Sequence, residues 1–159
     1  ASTGNLTVNA EPCDVGVLLD QTLGEYGEKL SAAGLEPVLT KPEKPVIIMA
    51  DGRHMWRIFD NLLNNICKYS QRGTRVYLEV CERDGKAVVT FRNISSRQLN
   101  ISSDELMERF VRGDSSRNTE GSGLGLNIAQ SLAQLQKGTM ELTVDGDLFK
   151  VTLTFDVVK

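Results

Sequence analysis

Residues 118–130 read NTEGSGLGLNIAQ: Gly121, Gly123 and Gly125 stand at alternate positions, and an apolar pattern of helical period begins at once behind them. Glycines just ahead of a helix let backbone N–H groups come close to an anion. The unpaired amides and the dipole of the helix start favour phosphate there. Two folds that use such glycines are excluded by what surrounds these. A P-loop requires a lysine after its last glycine, whereas Leu124, Gly125 and Leu126 follow Gly123. A dinucleotide fingerprint requires its glycines directly behind a strand in a βαβ unit, whereas Gly121 follows the polar run RGDSSRNTE. The glycines by themselves serve a flexible hinge as well as a cradle, so the decision rests on a second element.

That element is NLLNNICKYS, residues 61–70. Asn61, Asn65 and Lys68 recur at i, i+4 and i+7, on one helix face placed opposite the apolar stripe of Met55, Phe59, Leu62 and Ile66. Asn64 adds another amide. Each Asn costs a helix interior about half a kcal/mol relative to Ala, so the cluster works against its own helix, and such conflicts are expected where function is. A merely solvated face more naturally uses Glu, Lys and Gln. An Asn carbonyl oxygen is a hard ligand suited to Mg²⁺ beside phosphate oxygens, and a nearby Lys supplies charge to a phosphate. An asparagine helix and a glycine-led helix read together as two walls of a nucleotide site.

Around these elements the chain reads as a sheet with helices gathered on one face, an α+β two-layer sandwich. Residues 5–9 alternate as a short strand. Residues 14–34 carry Val15, Leu18, Leu19, Leu23, Tyr26 and Leu30 at helical spacing, with Asp14 as N-cap and Gly34 as stop. Prolines divide LEPVLTKPEKPVIIMA into two short strands, and Asp51 opens the asparagine helix. TRVYLEVCERDGKAVVTFRN predicts a β-hairpin turning at Asp84-Gly85, and GTMELTVDGDLFKVTLTFDVV a second turning at Asp145-Gly146. Residues 94–120 are polar apart from a short helix around SSDELMERF, capped by Ser102 or Ser103. Residues 124–136 form a helix with Leu124, Ile128, Leu132 and Leu135 inward.

A length of 159 residues suits one domain over 1–159, and a net charge of −3 argues against a nucleic-acid surface. No apolar run approaches the roughly 18 residues of a membrane span. The start of the chain shows no basic region followed by an apolar stretch. Cys13, Cys67 and Cys81 are odd in number and form no CxxC pair, which reads as reduced thiols of a cytoplasmic domain.

The asparagine and glycine elements, in this order and about sixty residues apart, resemble the N-box and G2-box of the histidine-kinase/gyrase ATP-binding superfamily. The nearest likeness is to the catalytic and ATP-binding domain of bacterial sensor histidine kinases, and it covers nearly the whole chain. ADGRHMWRIFDNLLNNICKYSQRGTRVYLEV looks like the family's Asp-led helix, N-box and following strand. DELMERFVRGD resembles the F-box, and GSGLGLNIAQSLAQLQKGTMEL the G2-box, its helix and the next strand. The resemblance implies a Bergerat-type ATP-binding fold, with a mixed, mostly antiparallel sheet and helices on one face. It implies ATP and Mg²⁺ as cofactors.

Position by position, it implies that Asn65 holds Mg²⁺ through its amide oxygen, that Asn61 and Lys68 contact phosphate, and that Tyr69 lies near the nucleoside. Gly121, Gly123, Gly125 and Leu126 would close the ATP lid and open the phosphate-facing helix. Arg112 and Arg117 would be lid cations, Phe110 would pack the lid's hinge, and residues 111–122 would be the lid. No catalytic residue is implied within the chain. The implied acceptor is a histidine on a separate dimerisation domain of the same protein, with a response regulator downstream. The fragment itself is expected to be a monomer on the cytoplasmic side of a membrane-anchored kinase.

One motif departs from the family. The Asp that usually reads the adenine amino group is replaced by Asn93, and the glycines of that loop by Ser95 and Arg97. Asn still accepts a hydrogen bond through its carbonyl, but carries no charge and can also donate. His54, in DGRHMW, has none of the flanks of a phosphoacceptor motif such as HExRTP and reads as a surface or cap-region residue. Trp56 reads as core, and Cys67 as no nucleophile. Hydrolytic relatives place a Glu one turn before the Mg²⁺ ligand; Asn61 occupies that place and cannot act as a base, while Asp60 points about 100° away around the helix. A third reading, a non-catalytic nucleotide sensor, follows from the altered adenine loop.

Overall fold

A computed structural model of the chain describes residues 7–96 and 124–158. The F-box segment and the short helix expected near Ser102, together with Phe110, Arg112, Arg117, Gly121 and Gly123, lie outside the described residues. In chain order the elements are β1 (Glu11–Asp14), α1 (Val15–Glu25), α2 (Gly27–Ala32), β2 (Glu36–Thr40), β3 (Ile47–Ala50) and α3 (Gly52–Tyr69). They continue with β4 (Arg75–Arg83), β5 (Lys86–Ile94), α4 (Leu124–Leu135), β6 (Thr139–Asp145) and β7 (Leu148–Asp156).

Five strands form the main sheet in the order β2-β4-β5-β7-β6, parallel at β2–β4 and antiparallel elsewhere. β1 and β3 make a separate antiparallel pair. Alternation along each strand decides which face is covered. Val76, Leu78 and Val80 of β4, Ala87, Val89 and Phe91 of β5, and Val151, Leu153 and Phe155 of β7 are buried, whereas Tyr77 and Glu79 between them face solvent. The covered face carries the helices. Leu19 and Leu23 of α1, Met55, Phe59, Leu62 and Ile66 of α3, and Leu126, Ala129, Leu132 and Ala133 of α4 join the same core. Phe59 and Phe91 bring helix and sheet together with ring centroids 5.8 Å apart. The fold is the expected two-layer sandwich.

Both hairpins form. Asp84 and Gly85 sit at φ 54° and 76°, the left-handed pair that a two-residue hairpin turn requires. The second turn is displaced by one residue: Asp145 pairs with Leu148, so Gly146 and Asp147 make the turn. Asp14 and Asp51 cap their helices as expected, accepting the N–H groups of Val17 (3.2 Å) and Arg53 (3.0 Å). Gly34 stops α2 at φ +72°.

Further expectations are corrected. The long helix over 14–34 is two helices, because the chain leaves helical geometry at Tyr26, whose side chain is drawn into the core and bonded to Asp60. Of the strand expected at 5–9, residues 7–9 are not in a strand and Asn5 and Leu6 lie outside the described residues; the strand seen here is Glu11–Asp14, where β3 offers a partner. Trp56 is 40% exposed rather than core, its indole N–H donating to Glu25 across 3.1 Å. The inward stripe of α4 is also shifted: Leu126, Ala129, Leu132 and Ala133 are buried, while Ile128 and Leu135 are only partly so.

Candidate nucleotide-binding site

Asn61, Asn65 and Tyr69 stand at i, i+4 and i+8 of α3, a row about 12 Å long at 1.5 Å rise per residue. The row lies alongside the buried stripe rather than opposite it, so its side chains are half-buried instead of solvated. The Nδ2 atoms of Asn61 and Asn65 and the Tyr69 hydroxyl are all buried and without a hydrogen-bond partner. A buried donor left unpaired costs about 1–3 kcal/mol. All three are donors; what they lack is an acceptor. Phosphate and ribose oxygens are acceptors, and an amide turned half around its last bond offers its oxygen to a cation instead. The donor set therefore fits a magnesium nucleotide.

Lys68 is exposed at the same end of α3. α4 is the helix expected to form the other wall. The first-turn N–H groups of any helix, here those of Leu124, Gly125 and Leu126, lie at the positive end of the helix dipole. Leu126 has only its backbone to offer, since its side chain is 1% exposed in the core. Two surface clefts among the described residues lie elsewhere, between Asp14 and the Lys41–Val46 loop and between Val8–Glu11 and Arg53. Neither is lined by an asparagine of α3.

The end of β5 closes onto the C-terminus of α3. Ser70 and Ser95 form a bridge, Ser96 N–H donates to Tyr69 O (2.8 Å) and Gln71 N–H to Ile94 O (2.7 Å). Asn93 takes a core-facing position of β5, continuing the series Ala87, Val89, Phe91, and is 5% exposed. Its Nδ2 donates to Ser70 Oγ at 2.8 Å. Asn93, expected at the base, thus stands at the Tyr69 end of the row.

Asp60, next to Asn61, is engaged on the other side. The Tyr26 hydroxyl donates to its carboxylate and to its carbonyl oxygen (3.0 Å). Burial, then the hydrogen bond to Asp60 and that carboxylate's charge, push the Tyr26 hydroxyl far above the usual phenol range, so it remains a donor. His54 is a cap-region residue: its Nε2 lies 2.7 Å from Thr7 O and 3.8 Å from Asp51 Oδ2. Burial raises the Cys67 thiol, more than Lys29 lowers it, which is the opposite of an activated nucleophile.

Two residues had no role in the sequence reading. Ser70 is legible afterwards as the helix C-cap following Tyr69. Gln136, 8% exposed, accepts the N–H of Asp51 at 2.7 Å and donates to Leu132 O at 3.2 Å. Nothing in its local sequence marks it.

Residues 50–159 match the family described as histidine kinase-, DNA gyrase B-, and HSP90-like ATPase. The chain is similar to the probable sensor protein PcoS of Escherichia coli, 38% identical over 115 residues, covering 69% of this chain and 24% of PcoS. It is similar as well to the signal transduction histidine-protein kinase BaeS of Escherichia coli strain K12, 28% identical over 161 residues, covering 91% of this chain and 34% of BaeS. The chain spans about a quarter to a third of the length of these relatives. In fold it is similar to the catalytic domain of histidine kinase ThkA, with TM-score 0.80 at 15% identity over 93% of this chain and 95% of that one. The Acinetobacter baumannii histidine kinase AdeS superposes with TM-score 0.77 at 19% identity, over 99% of this chain and 72% of AdeS. This chain therefore belongs to the histidine kinase-, DNA gyrase B- and HSP90-like ATPase family, as an ATP-binding domain of the histidine-kinase type.

Proposed function

We propose that residues 1–159 act as the ATP-binding catalytic domain of a two-component sensor histidine kinase, placing Mg·ATP so that its γ-phosphoryl group passes to a histidine on a separate dimerisation domain of the same protein. The observation that carries this reading is the row of buried, unpartnered donors at Asn61, Asn65 and Tyr69, in a chain of this family. Asn61 and Tyr69 donate to the nucleotide along the row, and Lys68 adds a cation. The N–H groups at the start of α4 face the phosphates; Gly121, Gly123, Arg112 and Arg117, which the resemblance assigns to the lid, lie outside the described residues. Asn93 meets the base. Asn65 would hold Mg²⁺, which when bound would supply charge neutralisation at the phosphates. The protein's share of the chemistry is positioning and electrostatics, which phosphoryl transfer chiefly needs.

Transfer is favoured over hydrolysis because, among the described residues, no base adjoins the row. Asn61 cannot take a proton from water, and the Asp60 carboxylate is occupied by Tyr26. A non-catalytic nucleotide sensor is the second reading, motivated by Asn at position 93. The test uses the full-length protein with γ-labelled ATP. Label retained on histidine, and lost with Asn65→Ala, supports the kinase; nucleotide binding without any labelled histidine supports the sensor. The downstream partner is a response regulator, and the isolated domain is a monomer on the cytoplasmic side.

A further inference from the structure

The pair Asn93–Ser70 carries a consequence for which purines the site takes. Asn93 is a neutral amide at a buried, core-facing position of β5, and its direct partner is a hydroxyl, Ser70 Oγ, 2.8 Å from Nδ2. A hydroxyl both donates and accepts, and its hydrogen rotates to suit. With Nδ2 donating to Ser70, Oδ1 is the end of the amide that accepts from an exocyclic amine. With the amide turned over, the Ser70 hydroxyl donates to Oδ1 and Nδ2 becomes the end that donates to a carbonyl. The Ser70 bond survives in both orientations, so neither is favoured by the partner that holds it. An aspartate at this position offers acceptors only, and its charge repels a carbonyl oxygen.

The geometry points to a nucleotide site that does not discriminate at the purine 6-position: it binds 6-carbonyl purine triphosphates, of the inosine and guanine class, about as well as ATP. The bridge between Ser70 and Ser95 and the bond from Ser96 N–H to Tyr69 O keep this pair at the Tyr69 end of the donor row, where a base would lie if the phosphates lie toward Asn61 and α4. This inference rests on Asn93 meeting the base, as proposed above.

Titration calorimetry of the protein with Mg·ATP, Mg·ITP and Mg·GTP tests it. ITP replaces the 6-amino group by a carbonyl without adding the 2-amino group of guanine. Wild type is expected to bind the three within about tenfold of one another, a spread of about 1.4 kcal/mol. Asn93→Asp should weaken ITP and GTP relative to ATP by about tenfold or more, because the acceptor becomes charged. Ser70→Ala should weaken ATP and ITP by the same factor. Wild type that binds ATP but rejects both ITP and GTP by more than about a hundredfold overturns the inference and leaves the ATP site standing. So does a Ser70→Ala variant in which only one nucleotide weakens, since Ser70 would then hold the amide one way. Failure of all three nucleotides to bind overturns the ATP site itself.

Discussion

The backbone N–H of Asp51 donates to the Gln136 side chain across 2.7 Å, joining the N-cap of α3 to the residue just beyond the C-terminus of α4. The two helices proposed as the walls of the site are thus fastened to each other at the end remote from the Ser70–Asn93 pair. Both partners are buried, so breaking the tie strands a main-chain donor. Gln136→Leu, which keeps an apolar stem but no acceptor, should lower the unfolding free energy by about 1–3 kcal/mol. Urea denaturation measures this, and an unchanged midpoint and slope would show that the tie contributes nothing.

Asn65→Ala should act on stability and binding in opposite directions. The substitution removes a buried amide nitrogen, Nδ2, that has no partner, and adds helix propensity, so the ligand-free protein should gain about 0.5–2 kcal/mol. The same variant should lose the part of nucleotide binding that depends on Mg²⁺. Melting temperatures with and without nucleotide would reveal both effects; a variant less stable than wild type in the ligand-free state would contradict the orphan-donor reading.

Asp51 sets a pH dependence. Its carboxyl is held below the usual range chiefly by the hydrogen bond from Asn9 N–H, with Arg53 N–H and the charges of His54 and Arg53 adding to it against the opposing effect of burial. A carboxyl depressed in the folded state stabilises above its unfolded value, about pH 4, and loses that contribution as pH falls through the folded value. The stability gap between wild type and Asp51→Asn should therefore be largest near pH 7 and narrow steadily below about pH 4. Chemical denaturation of both proteins from pH 7 to pH 2.5 checks this, and a gap that stays constant over that range would contradict it.

Much of this was legible from the sequence because local signals and tertiary contacts agree. Asp51 caps, Asp84-Gly85 turns, and the alternation of β4 and β5 points to the covered face of the sheet. The misreadings arise where a long-range partner overrides local pattern. Tyr26 has helical spacing, but its bond to Asp60 pulls the chain out of one continuous helix. Trp56 is large and apolar, yet its position on α3 turns it outward to Glu25. Gln136 and Ser70 are ordinary polar residues whose roles exist only through residues 85 and 23 positions away. The asparagine row was found because three amides conflict with their own helix, while its flank position depends on how α3 packs.

The central claim is that the donors of α3 bind a magnesium nucleotide, and calorimetric titration of this chain with ATP, with and without Mg²⁺, tests it most directly. The expected result is saturable one-to-one binding that Mg²⁺ strengthens in wild type and leaves unchanged in Asn65→Ala. No heat of binding under either condition, or a Mg²⁺ effect that persists in Asn65→Ala, would contradict it.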